Sequence, residues 1–173
     1  MVDLRGESIV LEPVRAAHVS ALVRILRTPE VRSRWGDEAA SPEWPFDDPS
    51  AVRFAIVVDG QVHGMVQYGE ENEPRYRHAS IDIFVDPGVQ GRGIGRDAVR
   101  TLALHLVRVL GHHRLVIDPA ADNAAAIRCY AAVGFRPVGI MREYERDVDG
   151  EGWHDGLLME LLAADLDVGR REA

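Results

Sequence analysis

A glycine-rich turn set between a strand and a long helix constrains this chain more than any other feature. Residues 80–85 form a short run rich in β-branched side chains that stops at Asp86, Pro87 and Gly88. Gln90, Gly91, Arg92, Gly93, Ile94 and Gly95 follow and open directly into an amphipathic helix. Successive backbone N–H groups at a helix N-terminus, with no Cβ in the way at the glycines, seat phosphate oxygens. Arg92 and Arg96 add positive charge beside them. Glycines at 91, 93 and 95 are costly in so short a stretch unless the backbone must come close to something. A pyrophosphate-bearing cofactor is therefore expected here, ahead of a bare helix start with no ligand.

Spacing decides which cofactor. The dinucleotide fingerprint G-x-G-x-x-G belongs near the start of a βαβ unit, with an acidic residue about 20 positions on. Here the third glycine comes one position early and no βαβ unit precedes the turn. The P-loop pattern needs a lysine, and every strongly basic residue of this chain is an arginine. What remains is Gln-x-x-Gly-x-Gly after a strand, which resembles the acetyl-CoA motif of the GNAT N-acetyltransferases. Further on, Asn123, Tyr130, Gly134 and Phe135 stand at the spacing of that family's Asn-x6-Tyr-x3-Gly-Phe signature. The resemblance covers nearly the whole chain. It implies an α/β (α+β) fold, the GNAT fold, with a mixed, mostly antiparallel twisted sheet of about seven strands flanked by four helices.

Length and charge agree with a single acetyltransferase domain. A chain of 173 residues with 46% hydrophobic content can bury one core. The domain is expected over residues 1–165, with 166–173 as a polar tail. No run approaches the roughly 18 apolar residues of a membrane span, and the N-terminus lacks a signal-peptide core. Cys129 stands alone, so a reducing cytoplasm is the expected setting. A net charge of −8 argues against nucleic acid as the main partner. The expected partner is a small-molecule amine, and the expected assembly a monomer or homodimer.

Periodicity gives the elements. Residues 8–13 read as a strand and 16–27 as a helix with Val19, Leu22, Val23 and Leu26 on one face. Thr28 and Pro29 mark a second helix start, as N-cap and N1, and that helix ends near Trp35 and Gly36. Residues 39–49 hold three prolines and read as a loop. Residues 52–58 and 62–68 form a hairpin around Asp59 and Gly60. A strand over 76–85 leads to a helix over 94–110 with Ala98, Leu102, Leu106 and Val109 inward. A strand over 114–118, a helix over 123–133 closed by Gly134, and a hairpin of 135–144 with 153–162 complete the fold.

Acetyl transfer to an amine needs a proton acceptor for the ammonium and a donor for the departing thiolate. Asp82 is the candidate general base, directly or through a water. Aspartate is depleted inside central strands and costly to bury unpaired, so the alternative is an ion pair with Arg75 or Arg114. Tyr130 is the candidate general acid, the alternative being an ordinary core tyrosine. Asn123 reads as a helix N-cap. The resemblance adds a pantetheine contact to Asn123 and implies that Ile83, Phe84 and Val85 offer backbone groups to the same arm. It also implies that Val89, Gln90, Gly91, Arg92, Gly93, Ile94, Gly95 and Arg96 hold the pyrophosphate.

A finer resemblance, in residues 28–36, Asp118 with Pro119, and residues 126–130, is to the aminoglycoside 6′-N-acetyltransferases. There an aspartate lies eight residues ahead of the motif glutamine, as Asp82 does here; the acceptor loops, 39–49 and 70–78, depart from that group. The resemblance implies direct transfer to the 6′-amine of an aminoglycoside, with Asp82 and Asp118 against the substrate; Trp35 is the candidate to pack on a sugar face, and Asp155, on the last hairpin, is either a substrate anchor or a solvated surface charge. Asp37, Glu38, Glu70, Glu71 and Glu73 lie in loops and are either further anchors or solvated surface charges; Asp118 is alternatively an Asx turn before Pro119. Two other readings stay open: another amine (a polyamine, a siderophore precursor or a protein N-terminus), and a non-catalytic acyl-CoA-binding module. His112 and His113 read as helix-end residues, no Cys/His cluster has zinc spacing, and Cys129 reads as a core thiol with no metal or covalent role.

Overall fold

A computed structural model describes residues 2–37 and 41–168. Among these, eight strands form one sheet in the order β1-β2-β3-β4-β5-β6-β8-β7. They are β1 (Leu4–Arg5), β2 (Val10–Pro13), β3 (Val52–Val58), β4 (Gln61–Glu71), β5 (His78–Val85), β6 (Arg114–Ile117), β7 (Arg136–Arg146) and β8 (Trp153–Leu162). Every neighbouring pair is antiparallel except β5 with β6. The helices are α1 (Ala16–Leu26), α2 (Pro29–Trp35), α3 (Ile94–Arg108), α4 (Ala124–Val133) and α5 (Ala163–Val168). None of the described helices is long and apolar enough to cross a membrane.

The mixed, mostly antiparallel sheet is as expected, with one strand and one helix more than the periodicity gave. The extra strand, β1, is two residues long and too short to carry a pattern. The extra helix, α5, begins inside the expected domain and runs into the expected tail, where Leu166 is buried against the main core.

Alternation along β5 divides the interior. Ala79 and Ile81 face the larger core with Leu102, Leu106 and Tyr130 of α3 and α4. Phe84 faces the opposite layer, where Leu22, Ile25, Leu26 and Val31 of α1 and α2 close over Met65. Each fully buried leucine stabilises the fold by about 2 kcal/mol relative to exposure. The turn at Asp59 and Gly60 has both residues at positive φ, +49° and +76°, the geometry of a two-residue hairpin that follows the strand twist.

Four local expectations need correction. Val109 is 68% exposed, because α3 stops at Arg108 and the chain unwinds, so that Leu110 packs on the core instead. Tyr76 lies outside β5, in a turn closed by its N–H on the Glu73 carbonyl. Thr28 occupies the N-cap of α2 without a side-chain cap; its hydroxyl closes the end of α1 by donating to the Ile25 carbonyl at 2.7 Å. His112 follows the end of α3 as expected but as a buried side chain, with Nε2 2.7 Å from the Glu70 carboxylate, in place of a helix-end charge.

Candidate active site

Strands β5 and β6 pair only at Ala79 with Leu115 and Ser80 with Val116. Beyond those residues the two strands have no ladder between them, while each keeps its outer neighbour, β4 on one side and β8 on the other. The gap opens a cleft of about 290 Å³ through the sheet. Ile81, Asp82 and Ile83 line one wall, and Ile117, Asp118, Pro119 and Ala120 the other. Extending the parallel register places Asp82 level with Asp118 across the gap. Asp82 belongs to the α1/α2 face of the sheet and Tyr130 to the α3/α4 face, yet both reach the cleft because the sheet is interrupted there.

The glycine turn follows the end of β5, the strand that forms one wall of this gap. Asp86 accepts from the Gly88 N–H at 3.0 Å, which starts a single 3-10 turn over Pro87–Val89, and Gln90 donates to the Val85 carbonyl at 3.2 Å. Gly91 and Gly93 sit at φ +78° and +82°, so each needs glycine for its backbone conformation. Gly95 does not, and a Cβ there would meet Val85 and Cys129 at ordinary distances of 3.5 and 3.8 Å. Gly93 is the N-cap of α3 and supplies no side-chain cap. The first-turn N–H groups of the longest helix therefore point out of the fold with Arg92 and Arg96 exposed beside them. An anion fits this position; a side-chain acceptor is missing there by construction.

The remaining candidates fall into place around the cleft. Asn123 accepts from the Ala126 N–H at 3.2 Å as the N-cap of α4, and it also lines the cleft. Tyr130 is 8% exposed, and burial, followed by the nearby Cys129, Asp82 and Asp118, pushes its phenol far above the ordinary value. It stays protonated and can only donate toward a developing anion. Trp35 also lines the cleft and stands edge-on to Phe84, with ring centroids 5.0 Å apart. Cys129 is half-buried, and burial raises its thiol pKa against a smaller opposing effect of Arg96.

Each arginine named as an alternative partner of Asp82 stands against a carboxylate of its own. Arg114 donates to Glu160 at 2.8 Å and Arg75 stands 3.4 Å from Glu73. Asp82 accepts from Gln67 at 3.3 Å. Asp118 accepts the Tyr144 hydroxyl at 2.5 Å in place of an Asx turn. Asp155 lies outside the cleft lining and accepts the Glu143 N–H at 2.8 Å, holding a bulge in β7. Of the acids expected in loops, Glu70 and Glu71 instead end β4, paired with Ala79 and His78; Glu70 is taken by His112, Glu71 by the Glu73 N–H, and Asp37 stands 3.8 Å from Arg32. Glu38 lies outside the described residues.

Several cleft residues escaped the sequence reading. Gln67, Arg34, Glu145 and His154 all line it. Arg34 of α2 donates to Asp122 at 2.7 Å, which bridges the cleft wall to the start of α4 and holds the Asp122 carboxyl below its ordinary range. His154 sits 3.3 Å from Glu145 and 2.9 Å from Asp147. Gln67 stands opposite Asp82 through the pairing of β4 with β5, a register that no local pattern announces.

The profile of the acetyltransferase (GNAT) family matches residues 20–135. Streptothricin acetyltransferase of Streptomyces lavendulae is 31% identical over 155 residues, covering 88% of this chain and 76% of that protein. Spermidine N(1)-acetyltransferase of Escherichia coli is 31% identical over 98 residues. That match covers 56% of this chain, and the chain spans about half of that relative, 52% of its length. Among solved structures, Mycobacterium smegmatis RimJ in complex with CoA-disulfide superposes with a TM-score of 0.80 at 25% identity, covering 96% of this chain and 88% of that one. AAC(6′)-Ib in complex with paromomycin and acetyl-CoA shares the fold, with a TM-score of 0.76 at 21% identity and coverage of 96% and 100%. The chain belongs to the GNAT acetyltransferase family.

Proposed function

We propose that this chain transfers an acetyl group from acetyl-CoA to a primary amine of a small polycation, by direct attack. The observation that carries the reading is the parting of β5 from β6 beside the uncapped start of α3. An extended ligand can take the place of the missing ladder partner, bonding to the backbone of Ile83, Phe84 and Val85 as an added strand does. Its anionic end then falls on the N–H groups from Gly91 to Arg96. Acetyl-CoA, as co-substrate, supplies the activated thioester and its pyrophosphate.

Asp82 accepts the proton that the acceptor ammonium must lose, and Asp118 across the gap attracts the same cation. Tyr130 donates to the departing sulfur. Holding both substrates in one cleft makes the attack effectively unimolecular, which lowers the barrier by several kcal/mol. Asn123 steadies the start of α4 and offers its amide N–H to the cofactor arm.

For the acceptor, Asp82, Asp118 and Glu145 give the cleft three carboxylates, and Trp35 gives it an aromatic wall. This favours an amine carrying further positive charge. The 6′-amine of an aminoglycoside is the first candidate; the relatives named for spermidine and streptothricin support the wider class of polycationic amines. Thiol release from acetyl-CoA, measured with a 6′-amino aminoglycoside, spermidine, streptothricin and an alanine-terminated peptide, tests both levels. Turnover of the aminoglycoside alone supports the narrow reading, and turnover of spermidine or streptothricin moves the acceptor within the class. Turnover of the peptide alone overturns the polycation. CoA binding without any turnover overturns the enzyme in favour of a binding module.

A further inference from the structure

Three side chains on adjacent strands form a hydrogen-bonded rail that ends at Asp82. Arg53 of β3 stands opposite Gln67 of β4, and Gln67 stands opposite Asp82 of β5, so the three share one face of the sheet. Arg53 Nε donates to Gln67 Oε1 at 3.0 Å, and Gln67 Nε2 donates to Asp82 Oδ2 at 3.3 Å. A guanidinium has donors only. It therefore dictates which way the Gln67 amide faces: the carbonyl oxygen must turn to Arg53 and the NH2 to Asp82.

Arg53 is itself fixed. Its Nη1 donates to the carbonyls of Pro45 at 2.8 Å and Asp48 at 3.0 Å, its Nη2 lies 3.8 Å from the Asp47 carboxylate, and its side chain is 10% exposed. The far end of the rail opens on the cleft, which Gln67 and Asp82 both line. A surface loop is thus tied, through one arginine and one amide, to the carboxylate at the reaction centre.

We propose that Arg53 and Gln67 are positioning residues that set the orientation of the Asp82 carboxylate, and that Arg53 makes this orientation depend on the 45–48 loop. The inference rests on Asp82 being the proton acceptor of the proposed acetyl transfer. Gln67→Leu keeps the volume and removes both hydrogen bonds. The hydrogen bond from the Gln67 amide to Asp82 is lost, and with it that constraint on the orientation of the carboxylate.

The test is steady-state thiol release from acetyl-CoA, with spermidine and a 6′-amino aminoglycoside as the acceptor probes, on wild type, Gln67→Leu, Asp82→Asn and the double variant. Gln67→Leu is expected to lower kcat about tenfold while KM for acetyl-CoA stays within about twofold, a split that a general loss of structure would not give. In the Asp82→Asn background the same change is expected to cost less than about twofold, because a residue that acts through Asp82 has nothing left to orient. Arg53→Met is expected to reproduce the kcat loss; should it fail to fold, Gln67→Leu carries the test alone. Wild-type kcat in Gln67→Leu, or an equal loss with and without Asp82, overturns the inference and leaves the proposed function standing. A wild type that turns over neither probe, nor streptothricin, overturns both.

Discussion

Tyr144 of β7 donates its hydroxyl to the Asp118 carboxylate at 2.5 Å, although β7 is not a neighbour of β6, which ends one residue before Asp118. Three departures from regular geometry make the contact. Strand β7 is bulged between Met141 and Glu145, Glu143 sits at φ +50°, and Gly156 of β8 leaves room for the ring. A Cβ on Gly156 would come within 2.8 Å of the Tyr144 ring. Backbone strain of this kind persists only where the surroundings enforce it, and here Asp155 does so by accepting the Glu143 N–H.

That hydrogen bond, then burial, pushes the Tyr144 phenol from 10.0 up to about 12. A raised value means that the folded chain holds the proton more tightly than the unfolded one. The contribution to stability is therefore complete below pH 10 and is lost as pH rises toward 12. Absorbance titration of wild type against Tyr144→Phe isolates this phenol from the other tyrosines, and Asp118→Asn is expected to bring it back toward 10. Denaturant midpoints on either side of the window should fall less in Tyr144→Phe than in wild type. An unchanged titration in Asp118→Asn would show that the pair does not form in solution.

Tyr130→Phe is expected to lower kcat about a hundredfold with little change in stability. The phenylalanine ring keeps the packing on Phe135, where the centroids lie 6.4 Å apart. Wild-type turnover in this variant would reduce Tyr130 to a core residue.

Gly93→Ala and Gly95→Ala separate backbone strain from ligand contact. Gly93 is at φ +82°, so alanine there should cost about 1 kcal/mol in urea unfolding. Gly95 has room for a Cβ, so its variant should unfold like wild type. If CoA binding by Gly95→Ala, followed by calorimetry, also matches wild type, close approach of the cofactor at that residue is excluded.

Asn123→Ala should lose about 1 kcal/mol of stability through the missing cap on the Ala126 N–H. It should also raise KM for acetyl-CoA. Asn123→Asp keeps the cap, so stability loss limited to alanine, with KM raised in both, would separate the two roles.

Arg34→Ala removes an exposed ion pair with Asp122, for which a stability loss of under about 1 kcal/mol is expected. Because the pair stands at the cleft wall, the acceptor KM should change, and the change should shrink as salt is raised. Salt-independent kinetics would place the acceptor elsewhere.

Local chemistry carried much of the fold. The two-residue turn at Asp59 and Gly60, the Asn123 cap and the glycine start of α3 are all set by neighbours in sequence, and each was legible there. Two-residue β1 was not legible, because it owes its existence to pairing with β2. Val109 was misplaced since the end of α3 depends on how the chain turns toward buried His112, whose N–H bonds back to the Leu106 carbonyl.

By itself the sequence determined the strand–turn–helix seat, the polar identity of Asp82 and the order of the elements, because these follow from backbone propensity and spacing within a few residues. Tertiary structure alone decided that β5 and β6 part after Ser80, and so brought Asp82 and Tyr130, on opposite faces of the sheet, into one cleft. It also decided which carboxylates matter. Asp155 went to a bulge, Glu70 to His112, and Asp118 to Tyr144, since hydrogen-bond partners far apart in the chain are chosen by register and packing that no local pattern encodes.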